Sequence, residues 1–385
     1  MKKYFIALTF ISFACSGDRS EKNNSNSIII DLKNQESVLE KEFLDLFAID
    51  TVIELQFNDD FHLADIYRLE INADGIFALD PMLGNLIRYS RTGVPINKIG
   101  LPGDGPSEMP EIFDFSYDFD KSELLLGSYS ARKISRFKPD GEFVSSIKLI
   151  DQLDHFSYNR NRILVSMSYY NALFKNLILL DNNGDSLRTF FPFPFDLKAI
   201  SLKFVSGHST TSKEDGFLFN EPASSSIYSI NSYGNSYVKY RFTSGEEMWP
   251  EDDKILIQDF FQSVSSGNLT YLTRFYEESE DRLFFNLNLK KSSNRSFVID
   301  PRIGYYDFDK KITYLSKSFE GSLWLRGPLE LEGNKFYCWV SKAKIIELSA
   351  SHSLWSDILK NYPNLKITDQ SDLDTPILIR FSVKN

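Results

Sequence analysis

The residue types that most often carry chemistry are few and widely separated in this sequence. The four histidines, His62, His155, His208 and His352, show none of the short spacings in which zinc ligands are usually arranged. The sequence also lacks a Gly-x-Ser-x-Gly segment, the turn that exposes a nucleophilic serine. We therefore predict no catalytic residue of these types, no metal site and no cofactor.

A glycine-rich segment at residues 100–105 has the composition of a phosphate-binding loop but not its context. Such a loop leads into a helix whose N-terminal amides face the anion. Here Pro102, Pro106 and Pro110 interrupt the segment, and a strand-like run follows it. We interpret the segment as a rigid connection between two strands.

Three pairs of adjacent carboxylates have the residue types that glycoside hydrolysis requires for its acid and base. The pairs are Asp59 with Asp60, Asp252 with Asp253, and Glu277 with Glu278. In a chain with a net charge of −10, adjacent acids are usually found in solvated loops. We assign none of these pairs a catalytic role.

Four residues of two predicted loops are the candidate ligand contacts. They are Asp104, Glu108, Tyr129 and Arg132. Loops held by a rigid scaffold are common positions for binding residues, because their sequence is free to vary. The fold decides whether these four side chains lie together.

The composition favours a β-rich protein that does not bind nucleic acid. Aromatic residues make up 15% of the 385 residues, with 33 Phe and 19 Tyr, and such side chains are enriched in strands. The net charge is −10, and no basic cluster occurs beyond the first three residues. A nucleic-acid backbone requires clustered Lys and Arg, so this class of partner is excluded.

Five segments repeat one pattern: a strand, a polar break, a second strand, a tight turn that ends in glycine, and a third strand. Their turn glycines are Gly93, Gly141, Gly184, Gly234 and Gly304. Glycine adopts the positive φ of a tight hairpin without steric cost. The glycine spacing is close to the blade length of propellers, in which four-stranded antiparallel sheets pack around a channel.

A sixth blade is divided between the two ends of the chain. Strand-like runs at residues 323–326, 335–340 and 376–383 supply three strands, and the run at 51–57 is predicted to supply the fourth. This closure removes an exposed sheet edge. The sequence thus predicts an all-β fold, a six-bladed β-propeller over residues 46–385. Helical spacing at 251–263 and from Ser353 to Tyr362 predicts two short helical insertions.

The N-terminus has the features of an export signal followed by a lipid attachment site. Residues 1–14 combine Lys2 and Lys3 with a short apolar stretch, and Ala14 precedes Cys15. This arrangement resembles a bacterial lipoprotein signal, so we predict a lipid on Cys15 and a flexible tether over residues 15–45. The alternative is an ordinary secretory signal with an incidental cysteine. The other cysteine, Cys338, lies in a strand-like run and is interpreted as a buried thiol.

Two segments resemble a large family of six-bladed propellers related to NHL repeats. Residues 98–108 look like the glycine-rich link between the first two full blades of that family, and residues 80–89 resemble its NHL-like part. Ser107 and Met109 depart from its usual link pattern. Members are common as lipoproteins in one phylum of Gram-negative bacteria, and most have no known function. The resemblance implies a lipid-anchored protein of the cell envelope, in the outer membrane.

Two functions remain open from the sequence. In the first, the propeller is a binding or scaffold module that holds a glycan, a peptide or an envelope protein at one mouth of its channel, and its lipid attaches it to the membrane. In the second, it is a hydrolase or lyase that acts on glycan or lactone substrates. Propeller enzymes of the second kind usually have a metal cluster at the channel, which these residues do not supply.

Overall fold

The protein, seen here in a computed structural model, consists of six sheets whose innermost strands contact one another around a central channel. The structure describes residues 27–34, 36–105, 107–167, 171–193, 210–213, 216–220, 224–244, 270–289, 300–317, 326–350, 353–365 and 373–384. In each sheet four antiparallel strands follow one another from channel to rim, and two of the sheets have a fifth, parallel strand at the rim. The predicted six-bladed β-propeller is therefore confirmed.

The strands of each blade follow one another along the chain, except in the last blade. The N-terminal segment contains β1 (Ile28–Asp31), β2 (Val38–Lys41), helix α1 (Phe43–Leu46) and β3 (Phe47–Glu54). Blades I to III consist of β4 (Arg68–Asn72), β5 (Gly75–Asp80), β6 (Asn85–Tyr89), β7 (Pro95–Ile99); β8 (Asp114–Asp118), β9 (Glu123–Ser128), β10 (Lys133–Phe137), β11 (Phe143–Lys148); and β12 (His155–Asn159), β13 (Arg162–Ser166), β14 (Lys175–Asp181), β15 (Ser186–Pro192).

Blades IV to VI have the same order of strands. They consist of β16 (Thr210–Lys213), β17 (Gly216–Asn220), β18 (Ser226–Asn231), β19 (Ser236–Thr243); β20 (Tyr271–Glu278), β21 (Arg282–Leu289), β22 (Asp300–Asp307), β23 (Ile312–Ser316); and β24 (Arg326–Glu332), β25 (Lys335–Ser341), β26 (Pro376–Val383), with β3 as the outermost strand.

Each blade buries both faces against its neighbours, which explains the continuous apolar runs of the second strands. All six residues of β5 are buried. Phe77 of blade I lies in one core cluster with Phe115 of blade II, and Leu125 of blade II lies in another with Phe156 of blade III. A strand that is covered on both faces shows an apolar run where a half-exposed strand would alternate.

Four of the five predicted turn glycines lie in hairpins between the third and fourth strands. Gly93 has a φ of 85°, and the glycines of the next three blades also have positive φ. A Cβ on Gly93 would lie 2.0 Å from the backbone carbonyl oxygen of Glu54 in blade VI. This glycine therefore permits both the turn and close contact with the outermost strand of the preceding blade.

The prediction that Gly304 ends a hairpin turn is wrong. Gly304 lies within β22 and pairs with both neighbouring strands of blade V. The hairpin follows at residues 308–311, where Lys311 has a φ of 56°. Glycine is needed at 304 because a Cβ there would lie 2.4 Å from the carbonyl oxygen of Tyr314.

The two ends of the chain close blade VI together. β3 pairs in antiparallel fashion with the C-terminal β26, from Phe47 opposite Val383 to Glu54 opposite Ile377. The closing strand was predicted at residues 51–57; the strand observed in this position spans Phe47–Glu54, so it starts earlier and ends before Leu55. With β3 paired to β26, blade VI has all four strands and β26 is not an exposed edge.

The predicted tether over residues 15–45 extends too far into the chain. β1 pairs in parallel with β19 on the rim of blade IV, and β2 pairs in parallel with β23 on the rim of blade V. Ile30 in β1 is fully buried. It belongs to an apolar run that starts at Ile28, and burial of such side chains stabilises the pairing of β1 with the rim, a contribution that a polar run cannot make. The propeller therefore begins before residue 46. Residues 1–26, which include the predicted signal and Cys15, lie outside the described residues.

A helical insertion joins the second and third strands of blade VI. It contains α2 (Lys342–Ser349), α3 (Ser353–Asn361) and a 3₁₀ turn (Pro363–Leu365), so the helix predicted from Ser353 is confirmed. The helix predicted at 251–263 lies outside the described residues. Trp355 of α3 is fully buried in a core cluster shared with blades V and VI, which fixes the insertion to the propeller. Among the described residues, no helix is long and apolar enough to cross a membrane.

Candidate functional site: the link face of blades I to III

The connections between strands divide between the two ends of the channel, because successive strands of a blade run in opposite directions. We name one end the link face. It carries the links from each outermost strand to the next blade and the middle turns between second and third strands. The opposite end, the hairpin face, carries the inner hairpins between first and second strands and the outer hairpins between third and fourth strands. In blades I to III the link face consists of residues 55–67, 81–84, 100–113, 129–132, 149–154 and 167–174, described except for residues 106 and 168–170.

In blade I a single buried carboxylate fastens the link to the middle turn. Asp80, the last residue of β5, accepts backbone hydrogen bonds from Ala64 and Asp65 of the link at 2.7 and 3.0 Å. Its other oxygen accepts from Met82 and Leu83 of the turn at 2.9 and 3.1 Å. Four backbone donors on one carboxylate hold the two loops in a fixed relation.

Blades II and III repeat this arrangement with carboxylates that come from the links. Glu111 accepts from the backbone nitrogen of Ser130 at 2.6 Å and from the hydroxyl of Ser128 at 3.0 Å. Partial burial acts to raise the pKa of Glu111, but the hydrogen bonds from Ser130 and Ser128 hold it below its usual value. In blade III, Asp151 accepts from the backbone nitrogen of Ala172 at 2.7 Å. The loops of three successive blades are thus held by charged hydrogen bonds.

Asp104 and Glu108 lie in one loop, but their carboxylates differ in how far they are available to contact a ligand. The Glu108 carboxylate accepts from the backbone nitrogen of Gly105 at 2.9 Å and closes its own loop. The Glu108 carbonyl oxygen accepts from Lys133 at 2.7 Å, which ties the link to blade II. Asp104 is exposed.

Tyr129 and Arg132 lie in the middle turn of blade II, beside that loop. Tyr129 is half-buried and its ring lies 6.0 Å from that of Phe113. Arg132 is exposed, with a φ of 49°, and its carbonyl oxygen accepts from Leu149 at 2.7 Å. The four candidate residues therefore share one face, where Asp104 and Arg132 present charge to solvent and Glu108 and Tyr129 also serve to order the loops.

Sequence reasoning missed a polar cluster at the mouth of the channel. Arg68, Asp114 and His155 are the first residues of the innermost strands of blades I, II and III. Arg68 lies 2.7 Å from Asp114 and also donates to the carbonyl oxygen of Phe156 at 3.0 Å, and Asp114 accepts from the nitrogen of Phe156 at 2.9 Å. Tyr67 lies 3.2 Å from the ring nitrogen of His155. No spacing in the sequence indicates that these residues meet, since only the packing of consecutive blades brings them together.

This cluster joins strands and does not present reactive groups to solvent. His155 is 1% exposed and lies beneath the rings of Tyr67 and Phe113. Asp114 is fully buried, and the pKa of its partner Arg68 is raised, because the Asp114 charge outweighs the effect of burial. Within the described part of the chain, no three His, Cys, Asp or Glu side chains converge to hold a metal ion.

Large apolar side chains protrude from the link face around Asp104 and Arg132. The exposed fractions are 85% for Met82, 45% for Leu83, 62% for Leu101 and 68% for Ile150. Single exposed apolar residues are normal on a protein surface, whereas four of them on adjoining ordered loops make this face a candidate interaction surface.

The link face of blades I to III is also acidic. Its described loops contain eight carboxylates and one arginine: Asp59, Asp60, Asp65, Asp104, Glu108, Glu111, Asp151, Asp154 and Arg132. The hairpins of the same three blades contain five carboxylates and four basic residues: Asp74, Asp120, Asp140, Glu142, Asp185, Arg91, Lys121, Lys138 and Arg160. The two ends of the same blades therefore differ in charge.

The fold recurs in two solved structures of Bacteroides proteins. A protein of Bacteroides fragilis NCTC 9343 described as exported superposes with a TM-score of 0.71 at 15% identity, over 94% of this chain and 100% of its own. A member of the DUF4221 family from Bacteroides vulgatus ATCC 8482 gives a TM-score of 0.54 at 11% identity, over 88% of this chain and 98% of its own. At these identities the likeness shows the fold alone.

At the level of sequence, the comparison with curated proteins finds no match. A family model does match, and it spans residues 17–379, which is nearly the whole chain and includes the link face of every blade. The chain therefore belongs to the family described as "Domain of unknown function (DUF4934)".

Proposed function

We propose that this protein is a lipid-anchored binding module of the bacterial cell envelope, which holds its ligand on the link face of blades I and II. The observation that carries this proposal is the exposure of Met82 and Ile150, at 85% and 68%, on loops that internal hydrogen bonds keep ordered. These apolar side chains are in contact with water in the free protein, and their burial against a ligand would stabilise the complex.

The fixed loops support a binding role because they reduce the cost of association. A surface that is ordered before it meets its ligand loses less conformational entropy on binding. Asp80 and Glu111 supply that order in blades I and II. Asp104 and Arg132, which are exposed and of opposite charge, would contribute the polar contacts that fix the ligand's orientation.

The envelope location rests on the N-terminal sequence. Residues 1–14 resemble a signal that ends at Cys15, and a lipid with two acyl chains on that cysteine would hold the protein firmly at a membrane. The Bacteroides fragilis protein of similar fold is described as exported, which agrees with this location. We propose that the lipid anchors the protein in the outer membrane.

The binding site is tested on arrays of immobilised glycans and peptides. The double variant Asp104→Ala/Arg132→Ala should lose the array signals of the parent protein and keep its melting temperature. The control variant Asp120→Ala/Lys121→Ala removes one acid and one base from the inner hairpin of blade II, on the opposite face, and should keep the signals. If the two double variants bind alike, the ligand does not contact the link face.

The anchor is tested by fractionation of cells. Cys15→Ser should move the protein from the membrane fraction to the soluble fraction. Cys338→Ala is the matched control, because this second cysteine is fully buried, and burial raises the pKa of its thiol far above the usual value. A Cys15→Ser protein that remains with membranes would show that attachment does not depend on a lipid at this residue.

A further inference from the structure

We infer that the partner on the link face is a protein segment that combines basic side chains with large apolar ones. The inference rests on the proposed function and names its ligand class. It follows from two features of the same surface: a group of exposed apolar residues on adjoining loops, and an excess of carboxylates on the same loops. We name Met82, Leu83, Leu101 and Ile150 the apolar ridge.

The first part of the apolar ridge lies on blade I. The strand pair that begins just after the middle turn places Leu86 opposite Ile99. The turn that carries Met82 and Leu83 therefore lies beside the start of the link that carries Leu101. The side-chain amide nitrogen of Asn85 also donates to the carbonyl oxygen of His62 at 3.0 Å. This hydrogen bond brings the preceding link to the same turn.

Hydrogen bonds continue the surface from blade I to blade II. The carbonyl oxygen of Leu101 accepts from Met109 at 2.9 Å, within the loop that contains Asp104. Lys133 then binds this loop through the carbonyl oxygen of Glu108 at 2.7 Å. The carbonyl oxygen of the neighbouring Arg132 accepts from the backbone nitrogen of Leu149, so that Ile150 follows directly at the edge of the middle turn. The apolar ridge thus spans the link face of two adjacent blades.

Apolar side chains of this kind suit the side chains of a polypeptide. Leucine, isoleucine and above all methionine adapt their shape to different apolar partners, and Met82 is 85% exposed. An extended or helical segment with apolar residues at regular intervals would bury the ridge on both blades at once. A glycan would leave most of this apolar area in water.

The charge around the ridge selects a basic segment. Asp59 and Asp60 on the link into blade I and Asp104 on the next link are exposed, and Arg132 is the basic residue that the described loops of this face contribute. Complementary charge raises the rate of encounter and disfavours acidic partners. The same charge would repel an anionic lipid surface, so the link face is expected to point away from such a membrane.

The test uses three peptides of equal length that share their apolar positions and carry lysine, serine or glutamate at the others. Binding to the full chain with Cys15→Ser is measured by fluorescence anisotropy at low and high salt. Leu101→Ser/Ile150→Ser removes half of the apolar ridge. Asp59→Asn/Asp60→Asn/Asp104→Asn removes three charges from the link face.

Each variant has a matched control on the hairpin face. Tyr233→Ser removes an exposed ring, 86% accessible, from the outer hairpin of blade IV. Asp120→Asn/Glu280→Gln/Asp309→Asn changes the net charge by the same amount as the link-face triple variant. Melting curves of all variants confirm that the propeller is folded.

The lysine peptide should bind the parent protein, and its affinity should fall as salt rises, because exposed charges are screened. Each link-face variant should weaken its binding by at least about tenfold, which is the loss expected when one buried apolar contact or a set of ion pairs is removed. The controls should bind as the parent does.

Four results would overturn the inference, the last of them together with the proposed function. Equal binding of the serine or glutamate peptide through the ridge would remove the charge selection and leave the proposed function intact. Binding of the lysine peptide that no link-face variant weakens would place the peptide elsewhere. If no peptide binds while an array glycan depends on Asp104 and Arg132, the ligand class is wrong and the site is right. Loss of every dependence on the link face would contradict the proposed function as well.

Discussion

The two ends of the channel use their polar side chains in different ways. On the hairpin face, side chains form bonds from one blade to the next: Asn159 of blade III donates to the carbonyl oxygen of Gly216 at 2.9 Å, and Lys239 of blade IV lies 2.7 Å from Glu278 of blade V. On the link face, Asp80 and the carboxylates of blades II and III bind the backbone of their own links and turns.

The polar side chains of the hairpin face therefore stabilise the ring, whereas those of the link-face loops order surfaces that a ligand could contact. Bonds between blades stabilise the ring and occupy these polar side chains of the hairpin face. Bonds within the loops stabilise only the loops, which can then carry exposed apolar and acidic residues without weakening the ring. At the link face the contacts between blades lie at the channel mouth, where Arg68, Asp114 and Phe156 meet, and the exposed loops around that mouth are free to vary with the ligand.

The largest contrast is expected between two arginines of blade II. Arg136 is 4% exposed and lies 3.2 Å from both Asp118 and Glu123, over the ring of Tyr158. Arg136→Ala leaves Asp118, 1% exposed, as a buried carboxylate without its cation, which should cost about 3 kcal/mol or more of unfolding free energy. Arg132→Ala on the link face should cost less than about 0.5 kcal/mol.

Denaturant unfolding of the two variants measures this contrast directly. Equal losses of stability would show that the two faces do not differ in structural role. A second variant, Arg136→Lys, should recover part of the loss, because it restores the charge but not the planar contact.

The next contrast compares two glycines of blade I. Gly93 in the outer hairpin and Gly84 in the middle turn both have positive φ, 85° and 65°. A Cβ at Gly93 would meet the Glu54 carbonyl oxygen at 2.0 Å, whereas at Gly84 nothing lies within 4 Å. Gly84→Ala should cost about 1 kcal/mol from backbone strain, and Gly93→Ala about 3 kcal/mol, since the clash adds to that strain. Thermal melts that shift equally would contradict close contact between hairpin and neighbouring blade.

The sequence predicted what local patterns control. Strand-turn-strand repeats and hairpin glycines are local, and they were sufficient for six blades and for the closing strand. The turn predicted at Gly304 was wrong because the local sequence does not distinguish a glycine within a strand from a glycine in a turn. The strands at Ile28 and Val38 were missed because each is four residues long and obtains its partner from a blade some 200 residues or more away.

The candidate site was predictable only in part for the same reason. The sequence placed Asp104, Glu108, Tyr129 and Arg132 on connections, and the structure puts them on one face. It could not show that the Glu108 carboxylate closes its own loop. The contact of Arg68, Asp114 and His155 depends on the packing of consecutive blades, and no local pattern encodes it.

A smaller effect is expected at the closing strands, where the pH should reveal it. Arg380 of β26 hydrogen-bonds to Asp50 of β3 and to Glu332. Partial burial acts to raise the pKa of both carboxyls, but Arg380 with Lys335 at Asp50, and Arg91 with Arg380 at Glu332, hold these pKa values below their usual range. A lowered pKa in the folded state adds stability above the pKa of the unfolded state, and this is lost as the pH falls through the folded value.

Arg380→Gln should therefore be less stable than the parent by about 1 kcal/mol near neutral pH, a modest loss because the ion pairs are partly exposed. The difference should begin to shrink as the pH falls below about 4, the usual carboxyl range, and should disappear once the pH has passed the lowered pKa values of the folded state. Urea unfolding across this range measures it, with Arg132→Gln on the link face as the control without pH dependence. A difference that stays constant with pH would mean that Arg380 acts through packing and not through charge.

The smallest effect on stability is expected where the largest effect on binding is proposed. Leu101 and Ile150 are 62% and 68% exposed, so Leu101→Ser/Ile150→Ser removes little buried apolar surface and should change the unfolding free energy by less than about 0.5 kcal/mol. Loss of exposed apolar surface should also reduce self-association at high concentration, which light scattering detects. A loss above about 2 kcal/mol would mean that the apolar ridge is part of the fold, and that the link-face loops also stabilise the propeller.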